Sequence, residues 1–72
     1  MTGDGTIAIR VNGEPRRVRA GLSVADLAAE LGLEPAKVAV ERNLRIVPRS
    51  TLAEVTVEEG DSFEIVTFVG GG

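Results

Sequence analysis

Leu22-Ser23-Val24-Ala25-Asp26-Leu27-Ala28-Ala29-Glu30-Leu31-Gly32 carries the marks of a short, capped helix. Val24, Leu27, Ala28 and Leu31 recur at i, i+3, i+4 and i+7, which lines one stripe of a helix with apolar side chains. Ser23 stands where an N-cap belongs. Asp26, three residues on, takes the capping-box position, and Leu22 and Leu27 stand on either side as a hydrophobic staple. Gly32 suits the left-handed position that ends a helix. A single apolar stripe needs one apolar surface to lie on, so the segments flanking this helix decide the fold.

On the N-terminal side, Ile7-Ala8-Ile9-Arg10-Val11 alternates, with Ile7, Ile9 and Val11 on one face of a half-buried strand. Asn12-Gly13 tolerates positive φ at both central positions of a type I′ turn, whose twist suits a tight hairpin. Arg16-Arg17-Val18-Arg19-Ala20 is the return strand, and Pro15, which has no N–H to donate, puts it at a sheet edge. On the C-terminal side, Glu34-Pro35 opens a connection and Val38-Ala39-Val40-Glu41-Arg42 reads as a third strand. Asn43-Leu44-Arg45 turns it, Ile46-Val47 makes a short fourth strand closed by Pro48, and residues 51–54 read as one helical turn. Glu58-Glu59-Gly60-Asp61 is a turn signal. In the last strand Phe63, Ile65 and Thr67 alternate with Glu64, Val66 and Phe68. The order predicts an α+β domain, one sheet with one main helix on one face. Its periodicity turns Ile7, Ile9, Val18, Val24, Leu27, Leu31, Val40, Phe63 and Ile65 inward as the core.

A chain of 72 residues makes one domain. The expected organisation is a flexible N-terminus over 1–5, a folded domain over 6–69 and a flexible glycine tail over 70–72. Absent residue types exclude several chemistries. There is no Cys, hence no disulfide, zinc knuckle or thiol nucleophile, and no His, the commonest general base and metal ligand. Ser23, Ser50 and Ser62 have no imidazole to activate them, and no metal site is expected. A net charge of −3 argues against nucleic acid, which selects basic domains. No apolar run approaches the ~20 residues that span a bilayer. Residues 1–5 lack the layout of a signal peptide, so no membrane partner is expected and the chain reads as cytoplasmic. Arg10, Arg16, Arg17, Arg19, Arg42, Arg45 and Arg49 read as solvated. Glu58, Glu59 and Asp61 read as turn residues or as a patch that steers the chain toward a basic partner.

Together these segments resemble the ubiquitin-like β-grasp fold, and more closely the ThiS family of bacterial sulfur carriers of thiamin biosynthesis. Val40-Glu41-Arg42-Asn43 is similar to the family's central strand and turn, and Ile46-Val47-Pro48-Arg49 to the segment that follows. Glu59-Gly60-Asp61, Ile65-Val66 and Phe68-Val69-Gly70-Gly71-Gly72 are similar to its last turn, strand and tail. The resemblance runs from Ile7 onward and is carried above all by the final Gly-Gly; Gly70 is one glycine more than the family shares. It implies a mixed sheet whose first and last strands pair in parallel at the centre. It implies a protein co-substrate, not an enzyme. The Gly72 carboxylate would be adenylated by an ATP-dependent, ThiF-like partner and converted to a thiocarboxylate with sulfur from a donor such as a cysteine desulfurase. Thiazole synthase would receive that sulfur. No cofactor would be bound, since the ATP is the partner's. Two other readings begin with the same adenylation. One is a ubiquitin-like modifier joined to lysines through Gly72. The other is a carrier serving molybdopterin synthase, as its small subunit, or tRNA thiolation.

The chemistry suits such an end. A terminal carboxylate titrates at about 3.3–3.7, so it is ionised at neutral pH and a poor electrophile. Adenylation gives it a good leaving group, and glycine has no side chain to hinder attack at the carbonyl. From Phe68 to Gly72 an extended arm reaches about 14 Å. Gly70 and Gly71 would thread a partner's channel while the folded body stays outside. Val66 and Phe68 face away from Phe63 and Ile65. They read as a docking patch, because a sheet covered by one helix leaves its other face wet.

Overall fold

The computed structural model describes residues 5–68. Residues 1–4, and the expected glycine tail with Gly70, Gly71 and Gly72, lie outside the described residues. The strands are β1 (Thr6–Val11), β2 (Glu14–Arg19), β3 (Val38–Arg42), β4 (Arg45–Val47) and β5 (Ser62–Thr67); the helix is α1 (Val24–Glu30). Single 3₁₀ turns lie at Pro35–Lys37 and Arg49–Thr51. The sheet order is β2-β1-β5-β3-β4. β1 and β5 run parallel, with Arg10 opposite Ser62 and Val11 opposite Phe63, and the other pairs are antiparallel. This is the mixed-sheet, one-helix β-grasp that the resemblance implied, with the last strand at the centre.

The local signals act as their chemistry requires. Asn12 and Gly13 take φ of 53° and 84°, and the two-residue turn pairs Val11 with Glu14. β2 is an edge strand, so the missing N–H of Pro15 costs no ladder bond. Ser23 caps α1: the Asp26 N–H donates to its Oγ at 3.0 Å, and its own N–H donates to Asp26 Oδ2 at 3.1 Å. At the other end Gly32 (φ 81°) donates to the Ala29 carbonyl and Leu33 to the Ala28 carbonyl, a Schellman closure.

The expected core is largely found. Ile9, Val18, Val24, Leu27, Val40, Phe63 and Ile65 are buried, and Ile7 and Leu31 pack against them partly covered. Leu52 and Val57 join them, from a segment with no readable periodicity. That segment crosses the start of α1. The Val24 N–H donates to the Val55 carbonyl, Ala25 to Leu52, and Val57 to the Leu22 carbonyl, each at 2.9–3.0 Å. The helix thus meets its first unpaired N–H groups with backbone from 52–57 rather than with water.

Several readings need correction. The helical turn expected over 51–54 is present, with the Glu54 and Val55 N–H groups both donating to the Thr51 carbonyl at 2.8 and 3.1 Å, but it begins earlier, as a 3₁₀ turn at Arg49–Thr51. Thr51 donates both its N–H and its hydroxyl to the Pro48 carbonyl, at 2.9 and 2.8 Å, and so closes that added turn. Arg45 belongs to β4 rather than to the turn, because Asn43 and Leu44 suffice, with φ of 52° and 71°. Gly5, expected to fray, accepts the Ala20 N–H at 2.8 Å and continues the hairpin ladder. Arg42 and Asp61 are not a solvated arginine and a plain turn residue. Asp61 is only 6% exposed. Its carboxylate accepts from Arg42 Nε at 2.9 Å, Asn43 Nδ2 at 3.0 Å and the Glu58 N–H at 2.9 Å. Burial of a carboxylate is tolerated because each oxygen is bonded and one partner is cationic. Among the described residues no helix is long and apolar enough to cross a membrane.

Two stability measurements follow. Asp61→Ala orphans the Glu58 N–H and the Asn43 amide and frees a half-buried guanidinium. It should cost about 2–3 kcal/mol in a denaturant melt, the range for losing bonds to a charged group. Asp26 serves as an acid probe. The Ser23 N–H, then the Ser23 hydroxyl, and least of all Arg19, hold its carboxyl below the ordinary 3.8. A carboxyl lowered by folding stabilises the fold above its unfolded pKa, and that stabilisation is lost as pH falls through the folded value. Thermal melts taken from neutral pH down through the carboxylate range should fall more steeply for the wild type than for Asp26→Asn. The two curves should converge in strong acid.

Candidate functional site

β5 carries its chain from the middle of the sheet to the sheet's end, and this sets what stands at the base of 69–72. The Phe68 N–H donates to the Lys37 carbonyl at 2.9 Å, so the ladder continues one residue past the strand. Arg49 Cζ lies 5.3 Å from the centre of the Phe68 ring, a cation–π contact worth about 0.5–1 kcal/mol at an exposed site. Arg49 also reaches the Val38 carbonyl through Nε at 3.4 Å. The last described residue is therefore held from two sides, by backbone and by ring.

Alternation along β5 buries Phe63 and Ile65 and turns Glu64, Val66 and Phe68 outward, on the face away from α1. Val66 and Phe68, read from the sequence as docking residues, are 58% and 54% exposed. The sheet brings two more apolar side chains to this side of the molecule, Ile46 on β4 (76%) and Leu44 in the β3–β4 turn (89%). Among the described residues these are the large apolar side chains left exposed. A groove of about 540 Å³ runs between Leu44, Ile46 and Val66, lined also by Ala39, Glu41 and Glu64 among others. Across the middle of the groove Glu41 stands opposite Glu64 on the neighbouring strand, a like-charge pair that costs stability.

Gly72, expected to be the reacting end, and Gly70 and Gly71, expected to thread a partner's channel, lie outside the described residues. The described surface offers binding chemistry. No cluster of three or more carboxylates there could hold a metal ion. Leu44, Ile46, Arg49 and the Glu41–Glu64 pair were not read as site residues. The usable signal was the register of the β3–β4 hairpin. A two-residue turn at Asn43-Leu44 sets Ile46 opposite Glu41 and so outward, whereas a three-residue turn does not.

Fold and face together define a ubiquitin-like β-grasp domain, with one sheet face covered by a helix and exposed apolar side chains on the other. Comparison with known proteins agrees. The ThiS family model matches residues 9–72. A thiazole synthase of Paramagnetospirillum magneticum is 55% identical over 62 residues, which are 86% of this chain and 19% of that protein. The sulfur carrier protein ThiS of Bacillus subtilis is 44% identical over 50 residues, 69% of this chain and 76% of that one. The crystal structure of a thiamine biosynthesis protein (ThiS) from Geobacter metallireducens superposes with a TM-score of 0.77 at 33% identity. That match covers 92% of this chain and all of the other. The chain belongs to the ThiS family of sulfur carrier proteins. It spans about a fifth of the length of the thiazole synthase it matches.

Proposed function

We propose that this chain carries sulfur for thiazole formation in thiamin biosynthesis, on the carboxylate of Gly72. The observation that carries the reading is positional: a ThiS-family β-grasp whose central strand is followed in the sequence by Gly70-Gly71-Gly72. The Gly72 carboxylate attacks the α-phosphate of ATP on a ThiF-like partner, forming an acyl-adenylate and releasing pyrophosphate. Hydrosulfide, freed by a thiol reductant from the persulfide of a donor such as a cysteine desulfurase, then displaces AMP and leaves a thiocarboxylate. The thiocarboxylate is consumed at thiazole synthase. The similarity to a thiazole synthase favours that acceptor over molybdopterin synthase or tRNA thiolation. The chain itself supplies the reacting end and a docking face, with Gly70 and Gly71 in the partner's channel and Val66 and Phe68 against its surface.

ATP–pyrophosphate exchange with the cognate activating enzyme, followed by intact mass after sulfide addition, tests the reading. Wild type should exchange, then gain the mass of one oxygen replaced by sulfur. A C-terminal tag converts the carboxylate of Gly72 to an amide and should abolish both signals, while a tag at Met1 should not. Deleting Gly72 retracts the end by about 3.5 Å, and a misplacement of even ~1 Å can cost ~10²-fold in rate. Sulfur acquired by a verified, uncleaved C-terminally tagged chain refutes the proposal. Phe68→Asp tests the docking face. It should leave the fold intact, with the melt lowered by no more than the ~0.5–1 kcal/mol of the cation–π contact with Arg49, because the ring lies on the open side of the sheet. It should weaken calorimetric binding to the activating enzyme, since a carboxylate would be buried there in place of an apolar ring. Unchanged affinity with an intact fold removes Phe68 from the interface.

A further inference from the structure

The chain contains the same turn twice. Both hairpins close with two residues at positive φ, and both begin with Asn: Asn12 at 53° and Asn43 at 52°. The second residue differs. Gly13, at 84°, has no Cβ to meet the following carbonyl and fits at no steric cost. Leu44, at 71°, is a branched residue in a conformation that L side chains avoid. Packing does not compensate, since Leu44 is 89% exposed, more than any other large apolar residue described. Folding alone would favour glycine or asparagine at this position, as the first hairpin shows. Two penalties thus meet at one side chain, backbone strain and an apolar surface left in water, and strained positions of this kind gather at functional sites.

We propose that Leu44 is a second attachment point for thiazole synthase, seated in an apolar pocket with a basic rim on that enzyme; the inference rests on the sulfur-carrier reading above. Three observations choose this occupant. Leu44 lines the same groove as Ile46 and Val66, and that groove ends at Arg49, beside Phe68, so a partner that grips the base of 69–72 is led along it to the hairpin tip. The floor of the groove carries Glu41 opposite Glu64, neither of them in an ion pair among the described residues, and a cationic group on the partner would relieve their repulsion. Finally, a chain 55% identical to this one occurs within a polypeptide named for thiazole synthase.

The geometry gives the second contact a purpose. β3 begins opposite Thr67, beside the exit of the chain, and ends opposite Phe63, beside the β3–β4 turn. The run from Lys37, which meets Phe68, to the turn at Asn43-Leu44 separates the two contacts by on the order of 20 Å. One contact at Phe68 leaves the domain free to pivot about the base of its tail. A second contact at Leu44 fixes the axis, and so the direction in which residues 69–72 enter the partner.

The test compares Leu44→Asn and Leu44→Met with wild type, using purified thiazole synthase of the same organism as the binding probe and thermal melts as the control. Asparagine accepts the left-handed conformation, so the Asn variant should melt at or above the wild-type temperature. Its Kd for the synthase should nevertheless rise about ten- to a hundredfold, the loss expected for one buried leucine. The Met variant keeps an apolar, flexible side chain and should retain affinity within about threefold, which a conformational role for Leu44 would not predict. Glu41→Gln with Glu64→Gln should reduce the salt dependence of binding. Unchanged affinity of Leu44→Asn overturns the proposal, as does a fall in affinity matched by a fall in melting temperature. Sulfur loading by the activating enzyme is measured separately. A wild-type chain that loads sulfur but binds no synthase overturns the anchor and the choice of acceptor, and leaves sulfur carriage on Gly72 standing. A wild-type chain that loads none overturns the carrier reading and the anchor with it.

Discussion

β5 is the last strand of the chain and lies between two hairpins that precede it, so its backbone must find partners on both sides at once. β1 supplies few of them, because it pairs with β5 only at Arg10 and Val11 before turning away. Asn12 replaces what β1 no longer offers. Its N–H donates to the Phe63 carbonyl at 2.8 Å, its Oδ1 accepts the Ile65 N–H at 2.8 Å, and its Nδ2 donates to the Ile65 carbonyl at 3.2 Å. A side-chain amide has the donor and acceptor of a peptide unit, and here it serves as one. Asn43 does the same at the start of β5, donating its N–H to the Ser62 carbonyl and accepting the Ser62 N–H on Oδ1. Each asparagine therefore has two tasks, to enter a left-handed turn and to hold the central strand.

The buried Asp61 completes this arrangement. It sits one residue before β5 and gathers Arg42, Asn43 and the Glu58 backbone around one carboxylate. On the far side, the Glu59 carboxylate and the Gly60 N–H meet the Ala8 backbone, which would otherwise face an empty edge. The loop before β5 is thus a set of bonded polar groups that fix where the strand enters. A buried, fully bonded polar cluster of this kind specifies one arrangement, because any other leaves a charge unpaired in a poorly solvated place.

Fixing β5 at the centre separates the two faces of the sheet. Phe63 and Ile65 close the core against α1. The same alternation sends Glu64, Val66 and Phe68 to the open face, where Ile46 and Leu44 join them. The strand that closes the core is also the one that precedes residues 69–72 in the sequence.

The sequence by itself determined whatever depends on neighbours a few residues apart. The cap of Ser23 and Asp26, the Gly32 stop, the Asn12-Gly13 turn and the inward alternation of β1 and β5 are local interactions, and their partners lie within one turn or one pleat. The strand order and the family resemblance were legible for the same reason, as a succession of such units. The tertiary structure decided the rest. Asp61 could not be told from an ordinary turn aspartate, because its partners Arg42 and Asn43 lie 19 and 18 residues away. Leu52 and Val57 show no periodicity and became core only where their segment crosses the start of α1. Leu44 concealed a two-residue turn by standing where glycine would have announced one. Its exposure, like that of Ile46, follows from the register of a hairpin docked against the sheet. Which face of a strand meets water is settled by what packs on the other face, and that is a property of the assembled fold.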